Sequence, residues 1–127
     1  MKLLLDTHTF IWFVEDAPQL PPNVKILIEN PLNEIFLSIV SLWEMAIKIQ
    51  LKKLDINKSI EEIINLSNQN GFILLPILSE HIVRLSKLEF FHRDPFDRMI
   101  IAQGISENQT IVSKDIIFDK YKAKRIW

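Results

Sequence analysis

The chain contains no cysteine and only two glycines among 127 residues. Without Cys there is no disulfide scaffold, no thiolate zinc site and no cysteine nucleophile, and a cytoplasmic location is expected. Gly71 and Gly104 are the only glycines. Neither a G-x-G-x-x-G turn nor a Walker A loop can be built from them, so Rossmann-type and P-loop nucleotide binding fall away. Long apolar runs are also missing. The longest, Phe72 to Leu78 with Pro76 counted in, is seven residues, whereas a membrane span needs ~20. Met1-Lys2-Leu3-Leu4-Leu5 starts like a signal peptide but meets Asp6 after three leucines, and reads instead as a buried strand. No charge of either sign dominates: the formal net charge is −1. No global field therefore attracts nucleic acid, and such a role requires a local basic patch. Lysines cluster at Lys48, Lys52 and Lys53, and again at Lys120, Lys122, Lys124 and Arg125; for each cluster a solvated face is the plainer reading.

What is present is the composition of one globular domain over residues 1–127, with 48% hydrophobic and 24% charged residues. Four short runs are continuous rather than alternating, as in strands covered on both faces: Lys2–Leu5, Glu34–Leu37, Phe72–Leu75 and Thr110–Val112. Helical patterns lie between them. Pro21-Pro22 precedes a short helix stopped by Pro31, and residues 39–54 read as a longer one. Ser59 to Glu62 is a capping box whose helix Asn70-Gly71 closes, Ser79 is a cap candidate for the next, and Asp94-Pro95 opens the last. Strands alternating with helices predict a three-layer α/β/α domain with a central parallel sheet of four to five strands. Right-handed crossovers then bring every strand's C-terminal end to one edge.

Asp6 follows the first strand run and Asp115 the last, so both fall on the edge where open α/β sheets bind ligands. A strand-ending Asp is more often a helix cap or turn residue. In "HRDPFDRMIIAQ", Asp94 reads as an N-cap, whereas Asp97 sits in the first turn and faces the strand ends. Glu44 precedes Lys48 by four residues, and an exposed i, i+4 pair is its bland alternative. Together, however, Asp6, Glu44, Asp97 and Asp115 come from four βα boundaries of one sheet. Packed like charges are unfavourable unless a cation neutralises them. An all-oxygen set favours Mg²⁺ or Mn²⁺ over zinc, and suits phosphodiester hydrolysis. His8 is expected to make a packing or substrate contact.

"LLLDTHTFIW", "S-x-x-S-x-W-E" at 38–44, "H-R-D-P-F-D-R-M-I-I-A-Q" at 92–103 and "T-I-V-S-K-D-x-x-F-x-x-Y" at 110–121 resemble, in order, the motifs of PIN-domain ribonucleases, above all VapC-type toxins. The resemblance spans essentially the whole chain. It implies a PIN-like α/β/α fold, Mg²⁺- or Mn²⁺-dependent endoribonuclease activity leaving 5′-phosphate and 3′-hydroxyl ends, and inhibition by a cognate antitoxin. Carried over, Asp6, Glu44, Asp97 and Asp115 match the family's four acids, and Asp97 rather than Asp94 matches the third, leaving Asp94 auxiliary. Thr7 and Ser113 match hydroxyls expected to bond carboxylates or bound water. Ser113 stands where Thr is common. Arg93, Arg98, Lys48 and Lys114, beside the motif residues, are the expected substrate contacts.

Two other classes compete with this reading. A phosphoacceptor receiver-like signalling domain requires an acidic pair after strand one and an acceptor Asp after strand three, and the chain has neither. A non-catalytic PIN-fold binding module has no need of all four acids. Trp12, Phe13, Trp43, Phe90, Phe91 and Phe96 exceed what a core of this size accommodates, which predicts a homodimer.

Overall fold

Leu3, Leu4 and Leu5 are all fully buried, although successive strand residues face opposite ways. The strand that carries them must therefore be covered on both sides. In the computed structural model, which describes residues 1–127, it is (Lys2–Leu5, β1), at the centre of a five-stranded sheet. Then come α1 (Thr7–Val14), α2 (Pro22–Glu29), β2 (Glu34–Ser38), α3 (Ile39–Gln50), α4 (Ile60–Gln69), β3 (Ile73–Leu75) and α5 (Ser79–Ser86). The chain ends with α6 (Pro95–Ser106), β4 (Thr110–Val112), a 3₁₀ segment (Ile116–Lys120) and β5 (Lys124–Ile126). All pairings are parallel, in the order β3-β2-β1-β4-β5. This is not the 2-1-3-4-5 order of receiver-like domains.

The alternation builds two cores. Leu3, Leu5, Ile35, Leu37 and Val112 face one side, where Phe10, Val24, Met45 and Ile63 of α1 to α4 cover them. Leu4, Leu75 and Ile111 face the other, under Val40, Ile100, Ile101 and Phe118. This is the three-layer sandwich expected from the sequence. No helix is long and apolar enough to cross a membrane.

Several boundaries differ from the sequence reading. Helix α1 and strand β5 were not expected as separate elements; β1 turns directly into α1 with Asp6 as N-cap. Strand β3 starts at Ile73 because Phe72 is spent on the core, its ring 5.4 Å from Phe13 and 6.2 Å from Phe10. Helix α3 ends at Gln50 rather than 54: Lys52 takes a left-handed backbone (φ +57°) and Lys53 N–H turns back to the Lys48 carbonyl. Ser79 does not cap α5. The Leu78 N–H donates instead to Nδ1 of the buried His81, 3.0 Å away. Ser59 and Asp94 do cap their helices, through Glu62 N–H and through Phe96 and Asp97 N–H.

Helix α6 crosses the sheet closely at Gly104, where a Cβ would lie 2.9 Å from the Ile111 side chain. Gly104→Val is therefore expected to destabilise by about 2–3 kcal/mol, although a glycine within a helix is itself unfavourable by ~1 kcal/mol. Urea unfolding measures this, and pairing the change with Ile111→Val should recover part of the loss.

Candidate active site

The strand order changes direction at β1: β2 and β3 extend to one side, while β4 and β5 add on the other. Ligands of such sheets bind outside the C-terminal ends at this switch point, here between β1 and β4. Asp6 leaves β1 there and Ser113 leaves β4. Asp6 is buried, its Oδ1 accepting Thr9 N–H at 2.9 Å and its Oδ2 accepting the Ser113 hydroxyl at 2.6 Å. Thr9 in turn donates its hydroxyl to the Val112 carbonyl. Asp6 is thus both the cap and a carboxylate held rigidly across the crevice. Asp115 is exposed; its Oδ1 accepts Ile117 N–H at 3.0 Å. Asp6, His8, Trp12, Lys114, Asp115 and Ile116 line a cavity of about 420 Å³. His8 is exposed and its ring lies 5.8 Å from Trp12.

Glu44 and Asp97 reach the same edge from α3 and α6. Helix α6 is fixed over the strand ends by Gln103, which accepts the Ser38 hydroxyl and donates to the Pro76 carbonyl. Glu44 is buried at 2% exposure while its neighbour Trp43 is 58% exposed, so α3 turns the carboxylate inward and the indole outward. Glu44 Oε2 accepts from Lys48 Nζ at 2.6 Å. Its Oε1 is buried with no hydrogen-bond partner.

The charges act on one another. Asp97 is pushed up to about 8, first by burial and then by the negative charges of Asp94, Asp6, Glu44 and Asp115. All four sequence-predicted acids therefore share one electrostatic field, although Glu44 and Asp97 do not line the cavity that Asp6 and Asp115 share. Burial also raises Asp6, against the hydrogen bonds from Ser113 and Thr9 and the charge of His8.

A network that sequence reasoning did not find holds Asp97. Arg98 Nη1 and His92 N–H donate to the Tyr121 hydroxyl oxygen. That hydroxyl lies 2.7 Å from His92 Nδ1, and His92 Nε2 lies 3.2 Å from Asp97 Oδ2. With its oxygen accepting twice, Tyr121 donates to Nδ1, which leaves Nε2–H to donate to Asp97. The signal was present in the sequence: His92 and Tyr121 open and close recognisable motifs.

Three sequence expectations change. Arg98 is not a substrate contact: it is buried, its guanidinium bonds the Glu89 and Leu88 carbonyls, and it stacks 3.9 Å from the Phe90 ring centre. Arg98→Ala should accordingly lower stability by about 3 kcal/mol, seen as a lower melting temperature. Thr7 donates to the Ser41 hydroxyl at 2.9 Å rather than to a carboxylate. Lys48 is committed to Glu44, as an i, i+4 pair with one end buried. Asp94 caps α6. Arg93 and Lys114 are exposed.

The donors fit a hard divalent cation in kind: they are all oxygens, one of them an orphaned buried atom, with an acid whose ionised form is penalised by its neighbours. No three Asp, Glu or His side chains are close enough to form a ready-made cage.

The family model described as PIN domain matches residues 3–124. No curated protein sequence matches the chain. Among solved structures, it superposes on a chain of VapBC2 from Rickettsia felis bound to a promoter DNA fragment. The TM-score is 0.74, with 17% identity, covering 99% of this chain and 98% of that one. VapBC-1 from nontypeable Haemophilus influenzae gives 0.74 at 15% identity, covering 99% and 97%. DNA-bound VapBC from Salmonella typhimurium gives 0.70 at 17%, covering 100% and 97%.

Proposed function

This chain belongs to the PIN domain family, and from that premise we propose that it is a Mg²⁺- or Mn²⁺-dependent endoribonuclease, the toxin of a toxin–antitoxin pair. The observation that carries the reading is the convergence of Asp6, Glu44, Asp97 and Asp115 at the switch point, where burial first and then the neighbouring carboxylates push Asp97 up to about 8. Capping accounts for Asp6 and Asp115, but not for the buried Glu44 carboxylate beside them, one oxygen of which has no partner. A bound cation is what offsets their repulsion.

Asp6, Glu44, Asp97 and Asp115 would hold the ion. When bound, it supplies neutralisation of phosphoryl charge and a more acidic attacking water. The protein's own groups do the rest. Ser113 and Thr9 fix the Asp6 carboxylate, and His92 orients that of Asp97. Lys114 on the cavity wall and the exposed Arg93, next to His92 in sequence, would meet phosphate oxygens. His8 and Trp12 offer ring faces beside the same wall.

The partner is a cognate antitoxin, consistent with likeness to chains solved as VapBC assemblies. A homodimer fits the exposed aromatics: Phe90 and Trp43 are 80% and 58% exposed, and Trp43 packs edge-on against Phe96. Sedimentation at micromolar concentration should show a dimer; a monomer alone retires that part.

The proposed activity is tested by incubating the purified chain with labelled RNA in Mg²⁺, Mn²⁺ or chelator. Cleavage in either cation, with 5′-phosphate ends and none in chelator, is expected. Unchanged RNA in both cations would leave a non-catalytic PIN module.

A further inference from the structure

The lysine run near the C-terminus is not one cluster in the folded chain. Arg125 is taken by Asp119 at 2.8 Å, and Lys124 donates to Asn108. Lys120 and Lys122 instead line a cavity of about 320 Å³, to which Arg84 of α5 and the C-cap residue Lys87 also contribute. Residues 84–87 and 120–122 are far apart in sequence, yet they place four exposed cations around one hollow with a single carboxylate, Glu89. None of the four is in an ion pair. In a chain of net charge −1, such a concentration is a local positive field that a polyanion would neutralise.

The position of the cavity says which polyanion. One wall is Tyr121, whose hydroxyl bonds His92, which bonds Asp97. Tyr121 and His92 thus link the hollow to Asp97 by hydrogen bonds, while Ile105, also in its lining, lies about two turns along α6 from Asp97. Phe91, at the rim, is 41% exposed and packs edge-on to Tyr121, with ring centres 5.0 Å apart. Cations along a backbone path beside an aromatic face are the means by which proteins hold single strands without reading sequence.

We propose that the hollow lined by Arg84, Lys87, Lys120 and Lys122 binds the phosphate backbone of single-stranded RNA flanking the cleaved bond. Acidic peptides share the charge, but a strand already lying across the acids gains from a second anchor joined to Asp97 through Tyr121 and His92. The proposal rests on the nuclease reading and is tested separately from it.

Binding is measured by anisotropy of a fluorescein-labelled single-stranded RNA on the full chain carrying Asp97→Asn, with and without Lys87→Glu/Lys122→Glu. The double reversal should weaken binding by about 10-fold or more at low salt, and flatten the log-affinity against log-salt slope by about 1.4. With Asp97 intact, it should raise KM and leave kcat unchanged. Lys87→Gln/Lys122→Gln, a milder change, should move the same quantities less and guards against misfolding of the reversal. Equal affinity and slope in all forms, while the wild type still cuts RNA, would overturn the inference and leave the nuclease standing. Loss of antitoxin capture without loss of RNA binding would overturn it too, giving the hollow to the antitoxin. A wild type that cuts no RNA removes the nuclease reading, and this one with it.

Discussion

An Asp97→Asn protein is expected to lose RNA cleavage by about 10³-fold or more while becoming more stable than the wild type in cation-free buffer at pH 8.5. The two effects have one cause. Asp97 is pushed up to about 8 by burial and by four neighbouring carboxylates, so above that value its charge exists only at the expense of folding. Asn keeps the shape, and the backbone N–H that Asp94 caps remains. It removes a buried charge worth on the order of 3 kcal/mol, and with it a donor to any cation. Cleavage assays and thermal melts on the same preparation check both. Loss of activity together with loss of stability would mean that the Asp97 carboxylate serves the fold through His92 and nothing more.

The wild type itself should show the second large effect, an offset of its pH dependence by Mn²⁺. Without a cation, folded Asp97 keeps its proton to about 8 whereas the unfolded chain releases it near 3.8. Between those values the folded state binds more protons, so stability falls as pH rises and levels off above pH 8. Burial raises Asp6 as well, in the same direction. A cation that binds only the folded, ionised set adds about 2.7 kcal/mol at a hundred times its Kd. The melting temperature at pH 8.5 should then rise by roughly 10 °C on adding Mn²⁺, with little change at pH 5. Melts across pH, with and without the ion, measure it; a shift of equal size at both pH values would point to a site that is not these acids.

Much of this was legible before any coordinates. Continuous apolar strands predict the doubly covered sheet, and right-handed crossovers bring Asp6 and Asp115 to its C-terminal ends. What stayed hidden was tertiary in origin. Helix α1 is too short and too apolar to separate from the strand before it by periodicity, and only the Asp6 cap marks its start. The cation roles failed where burial decides. Arg98 looks like any surface arginine until α6 turns it beneath Phe90. Lys48 shows both sides of the difficulty: its pairing with Glu44 is the plain helical expectation, yet Glu44 is buried and half unsatisfied, which no exposed pair would be. The split of the lysine run between paired and free members depends on Asp119 and Asn108, neither of which sequence spacing alone identifies.

Calorimetric titration of Mn²⁺ into the wild type, Glu44→Gln and Asp6→Asn, at one pH above 8, asks most directly whether acids from separate elements act as one cation site. The wild type should bind with measurable heat, and each substitution should weaken that binding at least about 10-fold, a loss of ~1.4 kcal/mol or more. Wild-type affinity retained in Glu44→Gln would contradict the account, because the buried, unpartnered Oε1 of Glu44 would then have no ion to meet.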